Sequence, residues 1–345
     1  GINQYELIKD KYFEYDSDIY KDIHNLKEKI HTMEHLKIYQ NEINSLERKI
    51  TIFHAQIVKQ LSLSNDTIIG FHGQTIYHNS EEKISRQLGN GKLLNQLTNM
   101  NIVFNFRAND MSNSGEGAPL TPIFHHLLSI QNNIKLPLCI LNIGGISNIT
   151  IIKDKYNLSE LISKDIGPGN CLIDNWVRKN SNKKFDKDGH MAGSGEKNQI
   201  IFEQAQELYL NRNNKKKLSF DTNDFDISFI RGLSLEDGVA TLTYFTAGII
   251  SEELTLSLKN SKQKIQNILL CGGGRKNKFL LEKIKENLSP NIRLKLIDDY
   301  KIDGDFIESQ AFAFLAIRSL LGLPISFPNT TGCKTPSTGG ELIKN

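Results

Sequence analysis

A chain of 345 residues with 39% hydrophobic content is long enough for two domains with ordinary cores. A formal net charge of +3 gives no ground for a nucleic-acid or membrane-surface partner. No apolar run reaches transmembrane length and the start is not a signal peptide, so a cytoplasmic location is the default.

The first 62 residues are mostly polar and helix-favouring. Leu26, Ile30, Met33 and Leu36–Ile38 recur at helical spacing, as do Ile43, Leu46, Ile50, Phe53, Ile57 and Leu61. Two helices with solvated Lys and Glu faces are expected over residues 2–62. Thr67–Phe71 reads as a strand that delivers His72-Gly73-Gln74-Thr75 at its carboxyl end, where α/β folds bind ligands. A lone His there is more often structural; beside a Gly and a Gln, ligand contact is an equal reading. Ile84–Gly89 follows as a loop or short strand. Ile102–Phe106 is a further strand, ending in Arg107-Ala108-Asn109-Asp110 and the loop Gly115–Leu120. Arg107 and Asp110 look like a substrate rim; a surface ion pair of little worth is the plainer alternative. Thr121–Ile130 reads as a helix, with His125 and His126 as packing or surface residues.

The stretch from Asn142 to Asp174 organises the rest. Leu138–Leu141 is a buried strand, Asn142-Ile143-Gly144-Gly145-Ile146-Ser147-Asn148 its continuation through a Gly-Gly turn, and a second apolar run completes a hairpin. Adjacent glycines allow φ > 0 and close approach of a ligand, and a turn of free N–H groups suits phosphate oxygens. Gly167-Pro168-Gly169 reads as a rigid loop, and Asn170 stands where it would cap the helix carrying Asp174. A phosphate loop beside a positioned carboxylate points to phosphoryl transfer.

Phe185-Asp186-Lys187-Asp188-Gly189 offers two carboxylates that could serve Mg²⁺ or simply close a turn. Residues 197–211 are helical, Lys215–Lys217 a solvated loop, and Val239–Leu258 a long helix. Asn267–Cys271 is a strand running into Gly272-Gly273-Gly274-Arg275-Lys276-Asn277, before a helix over Phe279–Leu288. Three glycines between strand and helix make a backbone-lined pocket suited to a nucleotide. Arg293–Ile297 is one more strand. Gly304–Glu308 then opens an apolar helix, Ser309–Leu321, with Glu308 favoured in its first turn by the helix dipole or placed to bind substrate. The tail from Pro324 is expected to be an irregular cover. Four cysteines, at 139, 171, 271 and 333, have neither metal-ligand spacing nor a disulfide pattern, and read as buried thiols. The order of elements gives an α/β protein of two halves with glycine-rich turns facing a cleft. Neither the G-x-x-x-x-G-K-[ST] loop nor a strand-borne G-x-G-x-x-G is present, so a nucleotide site would be of another type.

Taken together, the motifs resemble the anhydro-N-acetylmuramic acid kinase family. They are His72-Gly73-Gln74-Thr75, Phe106-Arg107 with Asp110, Gly115–Leu120, Leu141–Asn148, Gly167–Asn170 with Asp174, Asp186-Lys187-Asp188, Cys271–Gly274 with Asn277, Gly304-Asp305 with Glu308, and Thr331-Gly332, in family order from about residue 67 onward. The resemblance implies the two-domain actin-like ATPase fold of acetate and sugar kinases, with domain I at 1–130 plus 310–345 and domain II at 131–309. It implies ATP and Mg²⁺, and a reaction that opens 1,6-anhydro-N-acetylmuramic acid with water and phosphorylates O6, giving N-acetylmuramic acid 6-phosphate and ADP in peptidoglycan recycling.

By family position Asp174 is the base for the attacking water, and Ser85, Arg107, Glu308 and Gln74 hold the sugar. Nucleotide contacts fall on Gly1, Asn142, Gly144, Gly145, Gly167, Gly169, Asn170, Gly272, Gly273, Gly274 and Asn277. No residue is carried over as a metal ligand. The sequence itself is silent on assembly; family members are often homodimers, and that is the expectation here. The family opens with a strand and a Ser-Gly-Thr-Ser-x-Asp-Gly loop, and Gly1-Ile2-Asn3 resembles the end of that loop. A chain lacking that strand and loop is expected to be a weak or inactive, less stable kinase. Ser219–Asp226 replaces a Thr-Gly-Arg-Glu of many members, so a contact there is not carried over. Two other readings stay open: a catalytically impaired relative that only binds the sugar, and another sugar kinase of the same fold.

Overall fold

The protein is described from a computed structural model covering residues 3–64, 66–211, 218–259 and 264–345. The expected phosphate contact at Gly1, with Ile2 beside it, and the solvated loop at Lys215–Lys217 lie outside those residues. The chain forms two compact units, one of Gly1–Gln131 with Glu308–Asn345 and one of Asn132–Ile307.

The first unit opens with three helices where two were expected: α1 (Ser17–Lys29), α2 (Met33–Ile38) and α3 (Gln40–Gln60). The break has a local cause. Ile30 is extended, and the Thr32 side chain accepts from the His35 amide to start a new helix. Strand β1 (Ile68–Phe71) is followed by an antiparallel hairpin, β2 (Gln74–Asn79) and β3 (Ile84–Leu88). The hairpin settles Ile84–Leu88 as a strand, and β2 has no counterpart in the sequence reading. Ile19, Ile23 and Leu26 of α1, with Ile43, Leu46 and Ile50 of α3, pack on Ile76, Tyr77 and Leu88 of that hairpin. Helix α4 (Gly91–Thr98), capped by Asn90, leads to β4 (Asn101–Phe104), which lies parallel to β1. Short α5 (Ala108–Ser112) and apolar α6 (Pro122–Gln131) end this part. His125 is buried in α6, where burial lowers its pKa to about 4, as a packing residue.

The second unit is built on a five-stranded sheet of order β7-β6-β5-β8-β9. Its strands are β5 (Leu138–Ile143), β6 (Ile146–Ile152), β7 (Ile162–Pro168), β8 (Asn267–Cys271) and β9 (Arg293–Leu296). β5 and β6 form the expected hairpin, with Ile143 opposite Ser147, and β5, β8 and β9 run parallel. Strand residues alternate between faces. Cys139, Leu141 and Ile143 therefore join Ile268 and Leu270 on one face, against Ile250 and Leu254.

Helices α7 (Cys171–Asn180), α8 (His190–Ser194) and α9 (Gln199–Leu210) precede the long α10 (Leu235–Lys259); α11 (Lys278–Asn287) follows β8. α10 is apolar on two sides because it serves two cores. Ala247, Ile250 and Leu254 face the sheet cluster, while Val239, Leu242 and Phe245 join Leu172, Trp176 and Val177 of α7. Trp176 lies against Gly238, where an added Cβ would come within 2.3 Å of its ring nitrogen.

The chain then returns to the first unit through α12 (Ile307–Leu320), α13 (Pro328–Thr331) and β10 (Glu341–Ile343). The tail is thus not merely an irregular cover: β10 pairs antiparallel with β4, Leu342 opposite Val103, and completes a three-stranded sheet. The α/β class expected from the sequence is borne out. All four cysteines are free thiols, three of them buried.

Candidate active site

In the second unit the Gly144-Gly145 turn is latched to the start of α7. The Asn170 amide donates to the Gly144 carbonyl at 2.8 Å, and the Gly169 and Cys171 amides donate to the Gly145 carbonyl at 2.9 and 3.2 Å. Gly169 packs so closely that a Cβ would stand 2.3 Å from the Gly144 oxygen. Gly167 is also required by the fold: its φ is +137° and a Cβ would meet Ile249 at 2.6 Å. The rigid Gly-Pro-Gly loop read from sequence is instead the end of β7, paired to β6 through Ser147–Gly167 and Ile146–Pro168. Asn170 does occupy the N-cap of α7, but its side chain makes no capping bond there.

Gly144, Gly145 and Gly273 behave differently. None has positive φ. A Cβ on Gly145 would meet nothing nearer than 3.8 Å, and one on Gly273 nothing within 4 Å. Neither backbone conformation nor internal packing demands glycine at those two positions. With no side chain there, the main chain at Gly145 and Gly273 can be approached closely.

Gly272 and Gly274 hold this second turn against the first. Gly272 has φ +78°, and Cβ atoms at the two positions would strike the Asn142 side chain at 2.3 Å and Ile143 at 2.2 Å. The Asn170 side-chain nitrogen, Nδ2, lies 3.1 Å from the Gly274 Cβ position. Asn142, Gly144, Gly145, Asn170 and Gly272–Gly274 are therefore brought together. Asn277 is buried and its side-chain oxygen caps α11 by accepting from Leu280 N at 3.0 Å.

The glycine turn is fixed from below by Arg275. Its guanidinium bonds both oxygens of Asp298, at 2.8 and 2.9 Å, Asp305 at 2.6 Å and the Gly272 carbonyl at 3.1 Å. Those carboxylates raise the Arg275 pKa, and Arg275 lowers that of Asp298. Sequence reading missed this cluster, whose partners lie 23 and 30 residues further along. The visible signal was an Arg inside a glycine turn followed by an aspartate-rich loop.

Asp174 sits in the first turn of α7, half-buried, and its amide bonds the Asn170 carbonyl at 2.8 Å. Burial raises its pKa to about 7, against the pull of Arg178 and with a further push from Asp186. Asp186 itself is buried and accepts from the Met191 and Ala192 amides at 2.8 and 3.1 Å, so it anchors the start of α8. Of its two sequence readings, the turn is what the bonding shows. Ser219–Asp226 lies beside these elements: the Phe220 amide donates to Asp165, and the Thr222 methyl is 3.8 Å from the Gly145 Cβ position. Among the described residues, no group of three His, Cys, Asp or Glu is placed to hold a metal ion.

In the first unit Arg107 is held by His72 and the 115–120 loop. Its Nη2 lies 2.9 Å from His72 Nε2, its Nε 3.3 Å away, and its Nη1 donates to the Gly117 carbonyl at 2.7 Å. His72 Nδ1 is 2.9 Å from the Gly73 carbonyl, and its ring packs on Phe312 at 4.2 Å between centroids. Burial, then the Arg107 charge, lower the His72 pKa to about 3. Ser85 on β3 faces His78 on β2, Oγ to Nδ1 2.9 Å, and accepts from Gln87 at 2.7 Å. Gln74 begins β2, and Glu308 is exposed in the first turn of α12. Asp110 is no rim residue: it is fully buried and binds Gly117 N, Ser326 Oγ and Thr331 Oγ1 at 2.7, 2.5 and 2.6 Å.

A family model described as Anhydro-N-acetylmuramic acid kinase matches residues 2–345. The protein named anhydro-N-acetylmuramic acid kinase from Pelagibacter ubique (strain HTCC1062) is 53% identical over 348 residues, covering 100% of this chain and 92% of its own length. One of the same name from Zymomonas mobilis is 38% identical over 309 residues, covering 87% of this chain and 81% of itself. Among solved structures, a gluconate kinase from Lactobacillus acidophilus is 14% identical and covers 65% of this chain and 45% of its own, with a TM-score of 0.35.

Proposed function

The chain belongs to the anhydro-N-acetylmuramic acid kinase family, and from that premise we propose how its residues carry the reaction. The activity is that of a sugar kinase using ATP. The sugar is 1,6-anhydro-N-acetylmuramic acid, and one turnover consumes water and ATP. Water adds at carbon 1 and gives a proton to Asp174. The bond from carbon 1 to the bridging oxygen breaks, that oxygen attacks the γ-phosphorus, and the bond to ADP breaks. The products are N-acetylmuramic acid 6-phosphate and ADP, as cell-wall recycling requires.

The observation that carries this reading is the Asp174 carboxyl, held half-buried at a pKa of about 7 beside the glycine turns. A general base works best when its pKa lies near the working pH. Gly145 and Gly273 leave main chain open to phosphate oxygens, while Asn142, Gly144, Gly167, Gly169, Asn170, Gly272, Gly274 and Asn277 shape the two turns. Ser85, Arg107, Glu308 and Gln74 hold the sugar. Mg²⁺ bound with ATP would supply charge neutralisation at the transferring group, and no residue of this chain is assigned to hold it. The reading includes a cytoplasmic homodimer; no described helix is long and apolar enough to cross a membrane.

Asp174→Asn tests it. Formation of the 6-phosphate should fall by about a thousandfold, within the range for losing a general base. Sugar binding by calorimetry should persist. A variant that turns over like the parent would remove Asp174 from the mechanism, and preference for an ordinary hexose would change the substrate.

A further inference from the structure

We propose that the unit Asn132–Ile307 carries a second, anion-binding pocket for a small phosphate-bearing metabolite, centred on Lys135, Arg293 and Lys295. A cavity of about 280 Å³ is lined by these three cations together with Tyr300, Gln266 and Asn267, and no carboxylate is in its wall. That is close to the lower end of small-ligand sites, roughly 300 Å³. None of the three cations takes part in an ion pair among the described residues.

The strand register explains why they converge. Arg293 stands opposite Asn267 and Lys295 opposite Leu269. They therefore share the sheet face turned away from the Cys139–Leu141–Ile143 cluster. Lys135 comes from the segment leading into β5, two strands away in the sheet order. Charges on an edge strand commonly guard it against pairing, and β9 is an edge. That explains Arg293 and Lys295 singly. It does not explain a third cation from another element, on one cavity, with amide and phenol groups between. All three cations reach solvent, so their mutual repulsion is modest and screened, and a bound polyanion lowers it further.

The pocket is separate from the glycine turns. It lies at the amino ends of β5 and β8, whereas the turns follow their carboxyl ends, roughly 13 Å away by strand rise. The two are nevertheless joined. Tyr300 closes the short turn Ile297–Tyr300, in which Asp298 grips Arg275 beneath Gly272–Gly274. An occupant that orders Tyr300 acts on the support of that glycine turn, so ADP affinity should respond.

The test uses the full chain with inorganic phosphate and glucose 6-phosphate as probes, against sodium chloride at equal ionic strength. Both should raise the parent's melting temperature beyond the chloride control, glucose 6-phosphate at the lower concentration because Tyr300 and the amides can bind its hydroxyls. In Arg293→Gln with Lys295→Gln, probe affinity should fall about tenfold for each cation removed, while ADP affinity without probe stays within twofold. An equal melting shift in parent and variant, or none in the parent, overturns the pocket. Glucose 6-phosphate no better than phosphate overturns the ligand class. In the parent, saturating glucose 6-phosphate should change ADP affinity about threefold, within the usual range of coupling between sites; no change overturns the link through Tyr300.

Discussion

Asp110 and Asp174 are both aspartates in short helical first turns, and the protein treats them in opposite ways. Asp110, in the first unit, is sealed and fully occupied, by one amide and two hydroxyls, and ties the 115–120 loop to the returning tail. Gly115 is packed so tightly on it that a Cβ would stand 2.1 Å from its oxygen. Asp174, in the second unit, is only half-buried and is pushed up to about 7 because burial is not matched by bonding. A carboxylate given every donor it needs is structure; one denied them is held ready to take a proton. Two arginines are also held differently: Arg275 bonds the carboxylates of Asp298 and Asp305, while Arg107 bonds the His72 ring and the Gly117 carbonyl.

The comparison breaks most sharply at Asp110. Asp110→Ala strands three buried donors, and chemical denaturation should show a loss of about 5 kcal/mol or a chain that does not fold. Retained stability would mean the tail is held by something else. Arg275→Ala comes next. Its carboxylates reach solvent, so the loss should be about 3 kcal/mol, below the upper range for a broken buried pair, and ADP binding should weaken with it. Asp174→Asn should move stability the other way. The raised pKa disfavours the ionised form in the folded chain. The penalty is therefore absent below about pH 4, grows as pH rises through about 7, and is complete above. A displacement of that size is worth on the order of 4 kcal/mol at full desolvation, and about 2 kcal/mol is expected here. Denaturation should find parent and variant equal at pH 4 and the variant more stable at pH 8; equal stability at both would place Asp174 in water.

Much of this contrast was legible beforehand, and the rest was not for physical reasons. Strand β8 was read with its observed bounds, Asn267–Cys271, because a continuous apolar run bounded by a charged segment and glycines has one reading. The β5/β6 hairpin was legible for the same reason. Strand β7 was missed because Gly167-Pro168 reads as a breaker, yet Gly167 takes φ +137° inside the strand and Ile249 fills the space a side chain would need. Strand β2 pairs locally with β3, but the cover that buries it comes from α1 and α3, and β10 adds to β4 from some 240 residues away by number, so neither was read as a strand. At the site, glycines and Asp174 could be listed from sequence. Which glycines the fold itself requires, and that Asp110 is sealed, depends on contacts across the chain.

The smallest expected effect lies at Arg107. A carbonyl oxygen can only accept, so the Gly73 contact places the proton on Nδ1 of His72 and leaves Nε2 to accept from Arg107. With its pKa lowered to about 3, His72 stays neutral through the physiological range. It orients the guanidinium without cancelling its charge, and the lactyl carboxylate of the sugar is an anion that charge could meet. His72→Gln keeps an acceptor but loses the ring's packing on Phe312 and its fixed direction. The Michaelis constant for the sugar should rise about tenfold, the energy of one charge-assisted hydrogen bond, with that for ATP unchanged. Sugar affinity measured by calorimetry in Asp174→Asn, which removes the other titration, should be flat from pH 5 to 8. A loss of affinity below about pH 6.5, the ordinary histidine range, would show His72 becoming charged and would end its reading as a neutral acceptor. Flat binding with an unchanged Michaelis constant in His72→Gln would show that Arg107 does not depend on His72 for its position.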